Sequence, residues 1–275
     1  MEEEKKGMPL WLKICTGTAA LGSLFAVLIL LLLAGTGTPQ GTHAPPVTLP
    51  PPEANVFSPE DFTYDGDYLT CLTDTSILGT DVSSYQKQVD WEQVKAAGFE
   101  FVMIRAGYRG YGSAGKLMED KRAQENYKAA KAAGLQVGAY FFSQALNVEE
   151  AKEEAAFVME IIKDWELDMP LVFDWECLKE NYRTVNVDAR TLTDCAKAFC
   201  DAVQAKGYAP MVYFNPSQSR NDMYLAELTQ YDFWLAMYSE NMNYAYKVDM
   251  WQYTNKGKIP GIQGNADINL YFPYE

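Results

Sequence analysis

Asp174 and Glu176 close the run Met169-Pro170-Leu171-Val172-Phe173, one residue apart, with Trp175 between them. An apolar run after a proline reads as a short buried strand. Side chains alternate faces along a strand, so the two carboxyls share one face while Trp175 turns into the opposite layer. Two strand positions span roughly 6.5–7 Å, which puts both acids in one small volume. Like charges held that close in a partly dry cleft push one pKa upward, giving an acid and a base at the same pH. Taken alone the D-x-E pattern is common, and a helix cap or a lysine partner accounts for it equally well. Its weight comes from where the other acids and aromatics fall.

The elements that must position this pair can be read around it. Lys95-Ala96-Ala97-Gly98, Lys131-Ala132-Ala133-Gly134 and Gln204-Ala205-Lys206-Gly207 each place a glycine where a left-handed residue ends a helix, and each leads directly into an apolar run. The strands expected are Leu78–Ser83, Phe99–Ala106, Leu135–Phe142, Leu171–Trp175 and Ala209–Phe214, separated by helices. Phe233–Tyr238, Val248–Tyr253 and Ala266–Tyr271 follow with little room for helices between them. Eight strands, the first five in β-α units, predict an α/β fold: an irregular, TIM-like (β/α) barrel. An open doubly wound sheet is the runner-up. No glycine-rich phosphate loop follows the first strand, which counts against a nucleotide-binding version of it.

Chemistry in a β/α barrel collects at the carboxyl ends of the strands. Those ends offer Asp81, then Arg105, then Tyr140, then the Asp174/Glu176 pair. Tyr213 follows, then Trp234 and Tyr238, then Trp251 and Gln252, and finally Asp267. Four acids and a ring of aromatics on one rim point to sugar. Aromatic faces stack on the C–H faces of pyranose rings, and carboxylates serve the proton transfers and cation-like transition state of glycoside cleavage. A hard-cation site built from the same acids is the alternative, weakened by so aromatic a rim.

Composition narrows the classes further. The 275 residues carry a net charge of −14, against the basic face that nucleic acid demands. The only histidine, His43, lies in a Pro-rich stretch outside the folded part, which removes His-dependent triads and His-ligated zinc; no cofactor and no metal is expected. From Ile14 to Ala34 no residue is charged, and twenty-one helical residues match the thickness of a bilayer's hydrocarbon core. Lys5, Lys6 and Lys13 precede it, placing residues 1–13 in the cytoplasm and the remainder outside. The length of the run favours a transmembrane anchor over a cleaved signal peptide. Residues 35–55, with six prolines, form a semi-rigid linker, 56–76 a polar lead-in, and 77–275 the working domain. Cys71, Cys177, Cys195 and Cys200 show no metal or redox spacing, and free thiols are the plainer reading, with a long-range bridge from Cys71 left open.

The motifs also resemble a known family. Gly79-Thr80-Asp81-Val82-Ser83-Ser84-Tyr85-Gln86 with Val89-Asp90-Trp91 is similar to the opening of the glycoside hydrolase family 25 lysozymes, the N-acetylmuramidases. Phe101 to Gly107, Ala133 to Phe142 and Leu171 to Glu176 resemble that family's second, third and fourth strands. Trp251-Gln252-Tyr253-Thr254 and Asp267-Ile268-Asn269 resemble its closing motifs, so the likeness covers residues 77–275. It implies cleavage of the β-1,4 bond between N-acetylmuramic acid and N-acetylglucosamine in peptidoglycan. Glu176 would be the acid/base and Asp174 its partner, as nucleophile or as orienter of the substrate's 2-acetamido group, with Asp81 and Asp267 in support. Thr80 departs from the family's usual Ile, and Cys177 sits directly after the catalytic strand. A membrane-tethered peptidoglycan-binding protein without turnover, and a hydrolase of another N-acetylhexosamine polymer such as chitin, are the competing functions.

Overall fold

A computed structural model describes residues 49–177 and 182–273 of the chain. The expected anchor over 14–34 and most of the linker lie outside the described residues. Among the described residues no helix is long and apolar enough to cross a membrane.

Eight strands close into a barrel. They are β3 (Ile77–Val82), β4 (Phe101–Arg109), β6 (Gln136–Ser143), β7 (Leu171–Trp175), β8 (Pro210–Phe214), β9 (Asp232–Ala236), β10 (Met250–Gly257) and β11 (Ala266–Tyr271). Pairing runs β3-β4-β6-β7-β8-β9-β10 in parallel, and β11 closes the ring antiparallel to both β10 and β3. Every expected strand is present, but the last runs opposite to the others. The reason is connection length. A parallel return needs a crossover of a dozen or more residues, and only 258–265 separate β10 from β11.

Helices α1 (Trp91–Ala96), α2 (Ala123–Ala132), α3 (Val148–Ile161) and α4 (Ala189–Gln204) cover the outside of the first strands, with a short α5 (Pro216–Asn221) after β8. The three glycines expected to terminate helices, Gly98, Gly134 and Gly207, have φ of 93°, 79° and 90°, the left-handed conformation that only glycine adopts without steric cost.

Where full helices are missing, the lead-in supplies cover. β1 (Phe62–Asp65) and β2 (Tyr68–Cys71) form a hairpin, and Phe62 packs edge-on against Trp251 of β10 at 5.1 Å. Phe57 lies 4.7 Å from Phe272. One further short strand, β5 (Leu117–Glu119), folds back on the end of β4 and extends it beyond the barrel as a ribbon. None of Cys71, Cys177, Cys195 and Cys200 is in a disulfide.

Inside the barrel, Phe101, Met103, Val172, Met211 and Met250 fill the amino-terminal half with apolar volume. Gly79 has to be glycine here, because a Cβ would lie 2.3 Å from the Phe101 ring. That filled floor carries the polar residues one strand step above it.

Candidate active site

Each barrel strand contributes inward side chains at alternate positions, and the uppermost of these build the site. Asp81 stands two residues above Gly79, Arg105 above Met103, Asp174 above Val172, Tyr213 above Met211, and Gln252 above Met250. Asp267 reaches the same rim from the start of the antiparallel β11, paired in register with Asp81. A cavity of about 950 Å³ opens there, bounded by all four acids together with Arg105, Tyr140, Tyr213, Trp234, Tyr238 and Gln252. The alternation around Trp175 holds as well. Its indole lies in the outer layer and donates to the Ala145 carbonyl at 3.2 Å, while its two acidic neighbours face the cavity.

One residue expected at the site is not there. Trp251 is fully buried in the outer layer, against Phe62 and Tyr253, and its Nε1 donates to the Met237 carbonyl at 2.7 Å. The cause is strand parity: Gln252 points inward, so its neighbour cannot. Trp234 does border the cavity, but at its base. It is buried, edge-on to Tyr140 and Tyr213.

Hydrogen bonds orient the acids unequally. Asp81 Oδ1 accepts from Gln252 Nε2 and from Asn269 Nδ2, both at 2.8 Å. Gln252 is itself held by the hydroxyls of Tyr213 and Tyr238, each donating to its Oε1 at 3.2 Å. Trp234 Nε1 fixes Asn269 in the same way at 2.9 Å. Asp174 has no such support: among the described residues its buried Oδ1 meets no hydrogen-bond partner.

The protonation states follow from these surroundings. Burial lifts the Asp81 carboxyl, but its two amide donors favour the charged form and stop the rise at about 6. Burial, and then the Asp81 charge, push Glu176 to about 7. Asp267 rises to about 8 through burial and the charges of Asp81 and Glu176. Asp174 is raised well above the usual carboxylate range by burial, then by Glu176 and Asp81, with Arg105 opposing. Asp81 is therefore the most acidic of the group, Glu176 and Asp267 exchange protons near neutrality, and Asp174 is held toward its protonated form. Such a site can deliver a proton to a leaving oxygen while keeping a negative charge nearby.

Several residues that bound or brace the cavity escaped the strand-end reading. Arg105 is held by Asp120, whose Oδ2 accepts from Nε and Nη2 at 2.9 and 2.7 Å and also takes the Ser84 amide. The β4–β5 ribbon adds Tyr108 and Tyr111, and Tyr111 stacks on Tyr182 at 4.7 Å with their planes 10° apart. Tyr85, largely exposed, lies with Tyr108 against the Arg105 guanidinium. The tyrosines spaced through Gly107-Tyr108-Arg109-Gly110-Tyr111 were the available sequence signal for this wall. Among the described residues no cluster of His, Cys, Asp and Glu has the arrangement of a metal site.

Comparison with known proteins adds kinship to this geometry. The model of the family described as glycosyl hydrolases family 25 matches residues 80–262. The autolytic lysozyme of Clostridium acetobutylicum is 26% identical over 196 residues, covering 70% of this chain and 55% of that protein. Lysozyme M1 of Streptomyces globisporus is 25% identical over 209 residues, covering 72% and 69%. Among solved structures, the modular autolysin LytC from Streptococcus pneumoniae superposes with a TM-score of 0.63 at 25% identity. That match covers 72% of this chain and 47% of LytC, so the chain spans about half the length of both LytC and the Clostridium lysozyme.

Proposed function

Because the chain belongs to the glycosyl hydrolases of family 25, we propose that it is a peptidoglycan hydrolase that cleaves the β-1,4 bond between N-acetylmuramic acid and N-acetylglucosamine. Glu176 is the proton donor. With its pKa near 7, about half of it is protonated at neutral pH, and donation to the glycosidic oxygen lets the aglycone leave.

The observation that carries the mechanism is the buried Oδ1 of Asp174, unpartnered among the described residues. A buried carboxylate oxygen without a donor is costly, and an amide N–H brought by the substrate removes that cost. The 2-acetamido N–H of the sugar whose bond is cut has the right chemistry. Its hydrogen bond favours the charged form of Asp174, draws that pKa down on binding, and turns the acetamido oxygen toward the anomeric carbon. The oxygen attacks as the protonated leaving group departs, closing a five-membered oxazolinium ring. Glu176, now ionised, takes a proton from water, which opens that ring and leaves the anomeric configuration retained. Two acids two strand positions apart, roughly 6.5–7 Å, stand farther apart than a direct retaining pair, which suits a route whose nucleophile is the substrate's own acetamido oxygen.

The remaining residues hold the sugars. Asp81, fixed by Gln252 and Asn269, keeps a charge below the reacting carbon, and Asp267 receives a hydroxyl or the incoming water. Tyr140, Tyr213 and Tyr238 offer aromatic surface, with Trp234 beneath them and Arg105 at the side. The uncharged run over 14–34 and the prolines after it support a domain exported and tethered to the outer face of the cell membrane; fractionation of cells with an antibody to the domain tests that placement. For the activity, purified cell walls and chitin are digested side by side and the products identified by mass spectrometry. New reducing ends on N-acetylmuramic acid are expected from walls. Cleavage of chitin alone would overturn the substrate, and no product from either would overturn the enzyme.

A further inference from the structure

The sheet ends before the acid does. The last pairing of β7 with β8 is Asp174 to Tyr213, and its last with β6 is Ser143 to Trp175. Successive carbonyls along a strand point to opposite sides, so those of Trp175 and Glu176 emerge toward β8 and β6, and among the described residues no backbone amide meets them. Each is met by a side-chain amide. Gln218, in the turn after β8, donates Nε2 to the Trp175 carbonyl at 2.7 Å, and Gln144, just past β6, donates Nε2 to the Glu176 carbonyl at 2.5 Å.

We infer that Gln144 and Gln218 are positioning residues for the reaction: they continue the β7 ladder with side-chain amides, one on each flank, and so fix the backbone from which Glu176 projects. This inference rests on the assignment of Glu176 as the acid.

Both amides are locked. Gln144 is fully buried, its second Nε2 hydrogen goes to the Ser143 carbonyl at 2.9 Å, and its Oε1 accepts from the Thr184 hydroxyl at 3.3 Å. Two carbonyls on one side and a hydroxyl on the other leave the amide one workable orientation. Its backbone is anchored as well. The Gln144 amide and the Ser143 hydroxyl donate to Glu154 of α3, which also pairs with Arg109 Nε at 2.6 Å. Gln218 is held at Oε1 by the Asn215 amide at 3.0 Å, as part of the cap of α5. A bond from a rigid donor to a backbone carbonyl adds nothing to the charge of the acid. What it fixes is where the carboxyl sits relative to Asp174, and a displacement of about 1 Å at a reacting group costs on the order of 10²-fold in rate.

Two variants of the full chain separate positioning from mere stability. Gln144→Leu removes the donor. Gln144→Glu keeps the shape, repels the two carbonyls while ionised, and regains an O–H donor when protonated. Wall-digestion kinetics on folded protein should show kcat for Gln144→Leu down about 10²-fold with KM within about twofold. As the pH falls from about 9 to about 6, the range in which a buried glutamate facing two carbonyls takes up its proton, kcat for Gln144→Glu relative to wild type should climb, while the Gln144→Leu ratio stays flat. Gln218→Glu, which keeps its bond from Asn215, should lose rate in the same sense as Gln144→Leu. Wild-type kcat in folded Gln144→Leu, or parallel pH profiles for the two Gln144 variants, would overturn the positioning role. Should Gln144→Leu fail to fold, the pH dependence of Gln144→Glu decides alone. An inactive wild type would instead reject the assignment of function on which this rests.

Discussion

The lower and upper halves of the barrel interior are built by the same strands, two residues apart, and do opposite things. Val172 and Asp174 share one face of β7, Met103 and Arg105 one face of β4, Met250 and Gln252 one face of β10. The lower member of each pair fills apolar space. The upper member is a charged or polar group in the cavity, and in Asp174 a carboxylate oxygen has no hydrogen-bond partner among the described residues. The floor gains stability from burial. The rim loses stability, since every raised carboxyl there resists the charge that neutral pH would give it. A single strand step thus separates residues that hold the fold from residues that do the chemistry.

Substitutions that cross this divide should have opposite signatures. The largest effect on rate is expected from Asp174→Asn, which keeps the shape but cannot orient the acetamido N–H as an anion. Reducing-end release should fall about 10²–10⁴-fold, measured on protein that melts no lower than wild type. Phe101→Ala on the floor should cost about 3–5 kcal/mol in denaturant unfolding, with kcat/KM of the folded fraction within a few-fold of wild type.

Asp267→Asn should stabilise. Its folded-state pKa of about 8 lies above the ordinary aspartate value of 3.8, so the native state holds a proton that the unfolded chain has released. That contribution to stability is intact below pH 4 and is lost as pH rises toward 8. Calorimetric Tm of the variant minus that of wild type should therefore be near zero at pH 4 and positive by about 10 °C at pH 8. The smallest effect is on the wild-type pH profile. With Glu176 near 7, kcat/KM should decline about tenfold per pH unit once the pH passes that value. A decline that begins only above pH 9 would separate the observed acid from Glu176.

Much of this division was legible in the sequence. Period-two alternation placed Asp174 and Glu176 on one face and Trp175 on the other, and three helix-ending glycines set the rhythm of the first strands. Applied three strands further on, the same alternation would have excluded Trp251 from the rim, because it cannot share a face with Gln252. The direction of β11 was also encoded, in a connection too short for a parallel crossover, and it explains why Asp267 meets Asp81 from the start of its strand instead of the end. The less legible parts depend on contacts distant in the chain. Asp120 beneath Arg105, the stacking of Tyr111 on Tyr182, and the two glutamines at the end of β7 become functional only once neighbouring strands fix where a carbonyl or guanidinium stops. Apart from the tyrosine spacing at 108 and 111, no local pattern marks them.

The central claim is that one carboxyl, set among three others above a dry floor, is the proton donor. Glu176→Gln keeps the volume of that side chain and removes its acidity, so turnover on purified peptidoglycan measures the claim directly. A loss of at least about 10²-fold in reducing-end release, with the melting temperature held or raised, is the result expected. Release within a few-fold of wild type would contradict it.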